Sequence, residues 1–589
     1  MNEEGKDGED MSPAVKDFSF PLNVYAHIIE REEGRLDYLH YGLFYQGDIT
    51  ANEAQANSTE LLWRYLPPPC KLLEVGIGLG TTLARLCSEG YSVTGITPDA
   101  SQIAYARKHH GERLPTVCTK LEDYAEASGQ WDTLLFQESA QYVDPIDLFE
   151  AANRLLVADG NIVLMDEFSL RRTENHKENL HYLEYFLRLA ERGGFKLETR
   201  IDLSQLAKPT LDWLISAVGQ HREDLINELG ISPEALDALE ASNKIYCENY
   251  ANGQFGYFLL CFKRVSQPTW RIGRIFSERA HEMRALFLEV FSQEMSDTHW
   301  QWKYGDGRGT GIGVWRDADA KLVAHYGGTS RNILFFGQDT LAFQACDLMV
   351  SASERGSFSR KGPVFLATAT FLEHELGYGA PHLLGIGFPN DRAYRLPKLL
   401  GLYRGSIGAI HELIWPVEGL GFSLLWCLHE IHLETQEEKA FADSCWLNMA
   451  DDLSNYIVGV RNAAYLRQRY INHPDKHYRI FIVRSRFGFQ PAGLFVVQVD
   501  NSERCELLDA IGPVAKIPLL VRHAQHVAKE SGCREIFLWA VNNIIPYFGQ
   551  CPTINDLQIS VPGNGWTSGP AYESIAGKWW LTGGDTDFH

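Results

Sequence analysis

Short apolar runs alternate with stretches of helical periodicity along the first part of the chain. After residue 70, runs bounded by Gly, Asp or Pro predict buried strands at KLLEVG, SVTGIT, DTLLFQ and NIVLMDEF. Strands separated by helices need crossover connections, so the pattern predicts an α/β region with a mostly parallel sheet. A polar, helical stretch over residues 203–250 and the strand GYFLLCFKRV follow it.

The rest of the chain has a different pattern, dense in Trp, Tyr, Phe and Gly. KLVAHYGG and RNILFFGQ predict antiparallel strands, and Trp300, Trp302 and Tyr304 alternate with polar residues as in a half-buried strand. PVFLATATFLEHELG predicts an amphipathic helix. A similar order of strands and helices returns after about residue 415, which favours an internal duplication.

These patterns divide the chain into a tail and three units. Residues 1–20 are acidic, and we expect a disordered tail there. The first unit spans 21–267, because a charged strand end followed by SQPT is typical of a linker. The mixed α+β remainder forms two halves, 268–430 and 431–589.

Composition restricts the partners. The 589 residues carry a formal charge of −22, which repels phosphate backbones and anionic lipids, so we expect neither nucleic acid nor a membrane as partner. Eleven cysteines without a C-x-x-C pair favour reduced thiols over a disulfide framework or a zinc site. The sequence shows no apolar signal segment, so we expect a cytoplasmic protein. We also expect a small-molecule substrate and no metal. The sequence leaves the oligomeric state open.

The stretch LLEVGIGLG places Gly76, Gly78 and Gly80 directly after a predicted strand. Glycines at such a turn let backbone N–H groups approach a ligand closely. The third glycine comes one residue too early for a dinucleotide-binding G-x-G-x-x-G, and Glu74 would repel a pyrophosphate. A carboxylate there attracts a cation instead. The alternative is a tight turn without a ligand.

The same stretch resembles the class I S-adenosylmethionine-dependent methyltransferases, in which E-x-G-x-G-x-G carries the amino-acid and ribose portion of the cofactor. SVTGITPDASQ is similar to the cyclopropane-fatty-acid-synthase branch, with Thr97 and Gln102 in place of the usual ribose-binding carboxylate. Asp99 is an alternative ribose ligand. The resemblance covers about residues 37–264 and implies a Rossmann-like sheet. The residues that it places at S-adenosylmethionine are Tyr41, Glu74, Gly76, Gly78, Gly80, Thr97, Gln102, Glu122 or Asp123, and Gln137.

Polar side chains follow the fourth and fifth predicted strands, where open α/β sheets bind ligands. Glu138, Gln141 and Tyr142 are the candidates for positioning and deprotonating a methyl acceptor, and Asp166 and Glu167 follow the next strand. For each of them, helix capping or simple exposure is the alternative. The glutamate-histidine pair of the cyclopropane branch is absent, which favours a small polar acceptor over a lipid olefin.

In the second half, GFPNDRAYRLPKLLGLY resembles the N-x-x-A-x-x-L-Y-x-K-L-G-F segment of GNAT acyltransferases, which bind acyl-coenzyme A. The preceding order of strand, basic-glycine loop and helix is similar as well. This resemblance implies a tandem GNAT-like region and acetyl-CoA or another acyl-CoA as ligand. Pro397 stands where the family has its general-acid tyrosine, which leaves Tyr394 or Tyr403 as substitutes. The residues that it places at coenzyme A are Arg355, Gly356, Arg360, Gly362 and Asn390.

The two resemblances together predict a bifunctional enzyme that methylates and acylates one biosynthetic intermediate. Two alternatives stay open. The GNAT-like half is a noncatalytic scaffold for the acceptor or a carrier protein, or the methyltransferase fold uses S-adenosylmethionine for a reaction other than methylation.

Overall fold

The structure, a computed structural model, falls into two compact units. Unit 1 comprises Met1–Arg172 and Lys177–Arg271, and unit 2 comprises Thr173–His176 and Ile272–His589. The division after Arg271 lies close to the boundary expected after residue 267. The described residues are 13–45, 49–125, 129–174, 180–356, 359–417, 425–487, 491–499, 503–550 and 553–586.

Unit 1 is built on a seven-stranded sheet in the order β3-β2-β1-β4-β5-β7-β6. The first five strands pair in parallel, and β7 runs antiparallel to both of its neighbours. The four apolar runs predicted as strands are confirmed as β1, β2, β4 and β5. The strands are β1 (Lys71–Val75), β2 (Ser92–Thr97), β3 (Thr116–Cys118), β4 (Trp131–Gln137), β5 (Leu156–Ser169), β6 (Phe195–Asp202) and β7 (Phe255–Arg264).

Helices cover this sheet, and several begin at side-chain caps that the sequence provides. Asp99 and Asp144 each accept a backbone N–H at the start of a helix, and Thr50 forms a capping box with Glu53. The helices are α1 (Pro13–Lys16), α2 (Leu22–Glu33), α3 (Ala51–Trp63), α4 (Thr81–Ser88), α5 (Ala100–His110), α6 (Pro145–Leu155), α7 (Leu183–Arg192), α8 (Ser204–Ala207), α9 (Pro209–Gln220), α10 (Arg222–Leu229) and α11 (Pro233–Ala251).

The ordered part of unit 1 starts earlier than expected. Residues 1–12 of the expected tail lie outside the described residues. Residues 13–20 are not a disordered tail, because α1 forms there and Val15 and Phe18 are buried. Both side chains pack in one apolar cluster with Leu79 and Tyr105. Burial of this apolar surface stabilises a segment whose acidic neighbours suggested disorder.

Unit 2 contains two further sheets. In the first, β12-β11-β10-β15-β21 form a path, with β9 and then β8 beside β10, and in the second the order is β14-β16-β17-β18-β19-β13-β20. The strands are β8 (Trp270–Arg274), β9 (Gly309–Arg316), β10 (Lys321–Phe335), β11 (Gln338–Val350), β12 (Leu384–Ile386), β13 (Tyr403–Pro416), β14 (Trp426–Ile431), β15 (Ile457–Gly459), β16 (Arg479–Ser485), β17 (Pro491–Val499), β18 (Arg504–Ile511), β19 (Glu535–Val541), β20 (Thr553–Asn564) and β21 (Trp579–Trp580).

The two halves of unit 2 exchange strands. Strand β13 of the first half pairs with β19 and β20 in the second sheet, and β15 and β21 of the second half belong to the first sheet. The expected boundary between residues 430 and 431 falls inside β14. The helices are α12 (Ala280–Phe291), α13 (Asp297–Tyr304), α14 (Pro363–Glu375), α15 (Asp391–Leu399), α16 (Gln436–Asp452), α17 (Ala463–Leu466), α18 (Ile517–Glu530) and α19 (Tyr572–Ile575).

Two local predictions in unit 2 are wrong. Trp300, Trp302 and Tyr304 lie on helix α13, not on a strand, because Ser296 caps the helix by accepting the His299 N–H at 3.0 Å. Helix α14 is buried on nearly all sides instead of being amphipathic. Such a helix occupies the centre of a core.

Two features of the described part of the chain concern membrane-spanning helices and cysteines. No helix there combines the length and the apolar character needed to cross a membrane. The ten cysteines found there are all free thiols.

Candidate functional site

A cavity of about 340 Å³ opens at the carboxyl ends of β1, β2 and β4. Strand β1 pairs with β2 on one side and β4 on the other, so the connections diverge at this edge and leave a crevice, as open α/β sheets do. The volume suits a small organic ligand. The predicted residues that line it are Glu74, Gly76, Gly78, Thr97, Asp99, Gln102, Glu122, Gln137, Glu138 and Tyr142.

The glycine-rich turn forms the floor of the cavity. Gly76 and Gly78 have positive φ angles of 79° and 51°. A Cβ atom on Gly76 would lie 2.4 Å from the Cβ of Ser139, whereas one on Gly78 would meet no atom within 4 Å. Gly76 is therefore needed for packing of the turn, and Gly78 keeps space open beside the cavity.

Glu74 is a buried carboxyl with an unsatisfied oxygen. Burial raises its pKa to about 8, and its Oε2 atom has no hydrogen-bond partner among the described residues. A buried polar atom of this kind is costly unless a ligand pairs with it. The donor set fits a cationic group, such as the amino group of S-adenosylmethionine, and does not fit a phosphate.

The end of β2 carries a small hydrogen-bond network instead of a free carboxylate. The Thr97 hydroxyl donates to Gln102 Oε1 at 3.0 Å, and the Asp99 N–H donates to the Thr97 hydroxyl at 3.3 Å. Asp99 Oδ1 accepts from the N–H groups of Ser101 and Gln102 and so caps α5. Thr97 and Gln102 thus hold each other beside the cavity, while Asp99 is engaged in its own helix.

Two hydrogen bonds to threonine side chains hold the amide group of Gln137 in place. The Thr82 hydroxyl donates to Gln137 Oε1 at 3.0 Å, and Gln137 Nε2 donates to the Thr59 hydroxyl at 3.0 Å. Of the two acidic residues after β3, Glu122 lines the cavity and Asp123 does not. Both are exposed.

Six predicted residues do not line the cavity: Tyr41, Gly80, Asp123, Gln141, Asp166 and Glu167. Gly80 instead starts α4, where a Cβ would lie 2.6 Å from that of Ala106. Tyr41 and Gln141 hold neighbouring carboxyls through their backbone N–H groups, as described below.

The neighbouring His40 lines the cavity and was missed. Its ring contacts Tyr41 O at 3.0 Å and Thr59 Oγ1 at 3.1 Å, and burial lowers its pKa to about 4, so the ring is neutral at pH 7. The resemblance placed the next residue, Tyr41, at the cofactor and did not indicate that His40 lines the cavity.

A second group of polar side chains adjoins the cavity and is named here the acid–tyrosine cluster. It consists of Glu138, Asp166, Glu167, Tyr250 and Tyr257. The Tyr257 hydroxyl donates to Glu138 Oε1 at 2.6 Å, and the Tyr250 hydroxyl donates to Glu167 Oε1 at 2.7 Å. Glu138 also has a positive φ of 54°, a strained conformation that is common at functional sites. Tyr250 and Tyr257 had no sequence signal.

Backbone N–H groups complete the cluster. The N–H of Tyr41 donates to Glu138 Oε1 at 2.5 Å, and that of Gln141 donates to Asp166 Oδ2 at 3.1 Å. Burial raises the pKa of Glu138 well above its usual range and those of Asp166 and Glu167 to about 7. Repulsion by the neighbouring carboxylates adds to the shifts of Glu138 and Asp166. Asp166 and Glu167 therefore exchange protons near neutral pH.

Unit 2 contains a cavity of about 660 Å³ between β11, β12 and α12. Of the residues predicted to bind coenzyme A, Asn390 lines it and also caps α15 by accepting the Ala393 N–H at 2.9 Å. Tyr403 lines it too, with its hydroxyl 3.4 Å from that of Tyr326. The ring of Tyr394 stacks on that of Tyr403.

The remaining predicted ligands of coenzyme A lie outside this cavity: Arg355, Gly356, Arg360 and Gly362. Arg355 is exposed, and Arg360 donates to Leu400 O at 3.3 Å and lies over the ring of Trp566. Gly362 begins helix α14. The contacts of Arg360 with Leu400 and Trp566 were not evident from the charge pattern of the loop.

Comparisons with known proteins concern unit 1. A family model described as a methyltransferase domain matches residues 73–164. The ubiquinone biosynthesis O-methyltransferase of Erwinia tasmaniensis is 27% identical over 178 residues, which cover 28% of this chain and 70% of that protein. The homologous enzyme of Brucella anthropi is 26% identical over 169 residues, 28% of this chain and 64% of its own length.

Solved structures also match part of the chain. A sarcosine dimethylglycine methyltransferase from Galdieria sulphuraria, described as putative, matches with 15% identity and a TM-score of 0.37, over 41% of this chain and 97% of its own. A cyclopropane synthase from Mycobacterium tuberculosis matches with 19% identity and a TM-score of 0.36, over 42% and 96%. The family match coincides with the glycine turn, Glu74 and the strands around the cavity. The chain therefore contains a class I methyltransferase domain, and the protein is an S-adenosylmethionine-dependent methyltransferase.

Proposed function

We propose that unit 1 methylates a small polar metabolite, with Glu138 as the general base. S-adenosylmethionine supplies the methyl group as a sulfonium, so the chain has to position and deprotonate the acceptor. The observation that carries the proposal is the place of Glu138 on the cavity wall. Among the described residues, both of its hydrogen bonds end on Oε1, which leaves Oε2 to take a proton from the acceptor.

The charges of the acid–tyrosine cluster support a polar acceptor. Burial, mutual repulsion and hydrogen bonds from tyrosines and N–H groups govern its three carboxyls, with no basic side chain among the causes of their pKa shifts. Buried carboxylates without a cation hold protons or attract a positively charged group. An acceptor that carries a hydroxyl or ammonium proton matches this wall, and a hydrocarbon does not.

Tyr142 and Gln141 have supporting roles in this proposal. Tyr142 lines the cavity with 79% of its surface exposed, so its ring is available to contact an acceptor at the entrance. Gln141 orients Asp166 through its backbone N–H and acts as a positioning residue. Tyr250 lies on α11, and its hydroxyl donates to Glu167. We assign acceptor selection to the helical segment α8–α11.

Turnover with a panel of small amines, alcohols and carboxylic acids tests the proposal. We expect S-adenosylhomocysteine and a methylated product from at least one polar acceptor and none from an unsaturated fatty acid. Mass spectrometry of cofactor and acceptor products measures both. Methylthioadenosine in place of S-adenosylhomocysteine would contradict methyl transfer and favour the alternative chemistry.

We also propose that unit 2 is a tandem GNAT-like region that binds an acyl-coenzyme A and acylates a small metabolite. The order of elements in its first half supports this: a strand, two helices, three antiparallel strands, a helix, a parallel strand, a helix and a final strand, β8 to β13. Tyr403 faces the cavity with a hydroxyl that can donate a proton, a role that Pro397 lacks.

The alternative for unit 2 is a noncatalytic scaffold, and a thiol assay separates the two. With acetyl-CoA and candidate amines, acyl transfer releases free coenzyme A, detected with a thiol reagent. We expect release in excess of hydrolysis without protein. Coenzyme A binding by calorimetry without thiol release would favour the scaffold, and no binding would contradict the GNAT-like assignment.

A further inference from the structure

Each half of unit 2 contains a pair of parallel strands joined by a ladder of three residue pairs, β11 with β12 and β18 with β19. In the first half, residues 342–344 of β11 pair with residues 384–386 of β12. In the second half, residues 504–506 of β18 pair with residues 535–537 of β19. Strand β12 ends at its last pair, whereas β11, β18 and β19 continue beyond theirs without pairing further with the same partner.

The two halves share a further feature at this separation. Asp347 is the third residue after the last paired residue of β11, and Asp509 is the third after that of β18. Each accepts a tyrosine hydroxyl on Oδ2 at 2.5 Å, from Tyr304 and Tyr470 respectively. Each also pairs with a buried base, Lys303 at 3.0 Å and Arg461 at 2.9 Å. The halves are therefore built on one plan, and their separations can be compared position by position.

In the first half the separation is open. The 660 Å³ cavity is lined by residues 345–348 that continue β11 and by residues 387–390 that follow β12. No ladder joins these two segments among the described residues, so their backbone groups are not paired with each other. An extended ligand with amide groups can pair with such a strand edge, as added strands do.

In the second half the chain itself fills the separation. The segment Trp579–Thr586, named here the closing segment, places the Leu581 carbonyl to accept the Val541 N–H at 3.1 Å. The Thr582 hydroxyl donates to Asp509 Oδ1 at 2.8 Å. A Cβ on Gly584 would lie 2.3 Å from Asp509 Oδ2, so no space remains there.

Charge pairing and burial fix the closing segment in place. Asp585 pairs with Arg461, the same guanidinium that pairs with Asp509, and also with Arg331 at 2.9 Å. Trp580 and Asp585 are 0% and 1% exposed. Because breaking a buried ion pair is strongly unfavourable, the segment does not leave readily for a ligand.

We propose that unit 2 has a single thioester site per chain, in its first half, and that the closing segment permanently occupies the corresponding site of the second half. The inference rests on the proposed function, in which unit 2 binds an acyl-coenzyme A. Its ligand is an extended, amide-bearing thioester that lies between residues 345–348 and 387–390. The second half then has a structural role, which includes providing strand β15 to the first sheet, and it binds no second thioester.

Calorimetric titration of the full chain with coenzyme A tests the assignment. We expect one equivalent bound per chain. Ala393→Trp brings a bulky ring to the cavity of the first half and should weaken binding at least about tenfold. The matched variant Ile545→Trp, in the helical turn that follows β19, should bind as the unmodified chain does. Two equivalents, or loss of binding in Ile545→Trp alone, would overturn the inference while leaving coenzyme A binding intact.

The closing segment is tested separately by stability. Gly584→Ala should lower the Tm of unit 2 by roughly 5 °C or more, because the added methyl meets Asp509 and Tyr470. Gly569→Ala, whose Cβ would make only ordinary contacts, should leave it unchanged. An unchanged Tm in Gly584→Ala would refute the filled site. Absence of any coenzyme A binding would instead overturn the proposed acyltransferase function, and the thioester site with it.

Discussion

Gly78→Trp is expected to abolish S-adenosylmethionine binding and methyl transfer. Gly78 lies in the turn after β1 at the cavity, and a Cβ there would meet no atom within 4 Å. An indole group at this position would occupy part of the cavity of about 340 Å³ and obstruct a nucleoside there. We expect affinity to fall by at least about 100-fold, measured by calorimetry.

The matched control for this substitution is Gly90→Trp. Gly90 also has a positive φ, 88°, and open space around it, but it does not line the cavity. Both variants therefore bear the backbone cost of a non-glycine residue at positive φ. If Gly78→Trp binds S-adenosylmethionine as tightly as Gly90→Trp does, the cofactor site is assigned wrongly.

The same titration reports on Glu74. With a pKa of about 8, its carboxyl is roughly nine-tenths protonated at pH 7 in the free protein. A cationic amino group beside it favours the ionised form, so binding should release close to one proton, seen as a dependence on buffer ionisation enthalpy. Glu74→Gln should remove this release.

Glu138→Gln is expected to lower kcat by about 10²–10⁴-fold and to leave S-adenosylmethionine affinity nearly unchanged. The amide keeps the shape of the side chain but cannot take a proton. Retained cofactor affinity in the variant shows that it is folded. Glu89→Gln, at an exposed position after α4, serves as the matched control and should behave as the unmodified enzyme does. A Glu138→Gln enzyme with full kcat would exclude this residue as the base.

The pH profile gives an independent reading of the same residue. Burial raises the pKa of Glu138, and a general base must be ionised, so activity should fall as pH falls through that raised pKa. The Tyr257 hydroxyl stabilises the ionised form. Tyr257→Phe should therefore move the acidic limb of the profile to higher pH. A limb that stays in place would show that Tyr257 serves only packing.

Much of unit 1 was predictable because its signals are local. Parallel strands are buried on both faces, so β1, β2, β4 and β5 read as continuous apolar runs. The glycine turn needs positive φ angles and close approach, which only glycine provides at Gly76. The residue types at Thr97 and Gln102 indicated a particular branch, and these two side chains do lie together at the cavity.

Other features depend on contacts between distant residues. Tyr257 and Glu138 are 119 positions apart in sequence, and no local sequence pattern predicts the hydrogen bond between them. The resemblance pointed to Tyr41, whereas it is the preceding residue, His40, that lines the cavity. In unit 2, β13 belongs to the second sheet, and β15 and β21 belong to the first, which local patterns did not predict because strand pairing is set by the whole sheet.

The sequence by itself determined the kind of sheet in unit 1, the glycine turn after β1 and the presence of acidic groups after β4 and β5. These follow from apolar periodicity, glycine spacing and residue type, which act over a few neighbouring positions. Only the tertiary structure decided which carboxyls meet tyrosines and which loop residues face a cavity. Burial and hydrogen bonding between remote segments set these outcomes, and no local pattern encodes them.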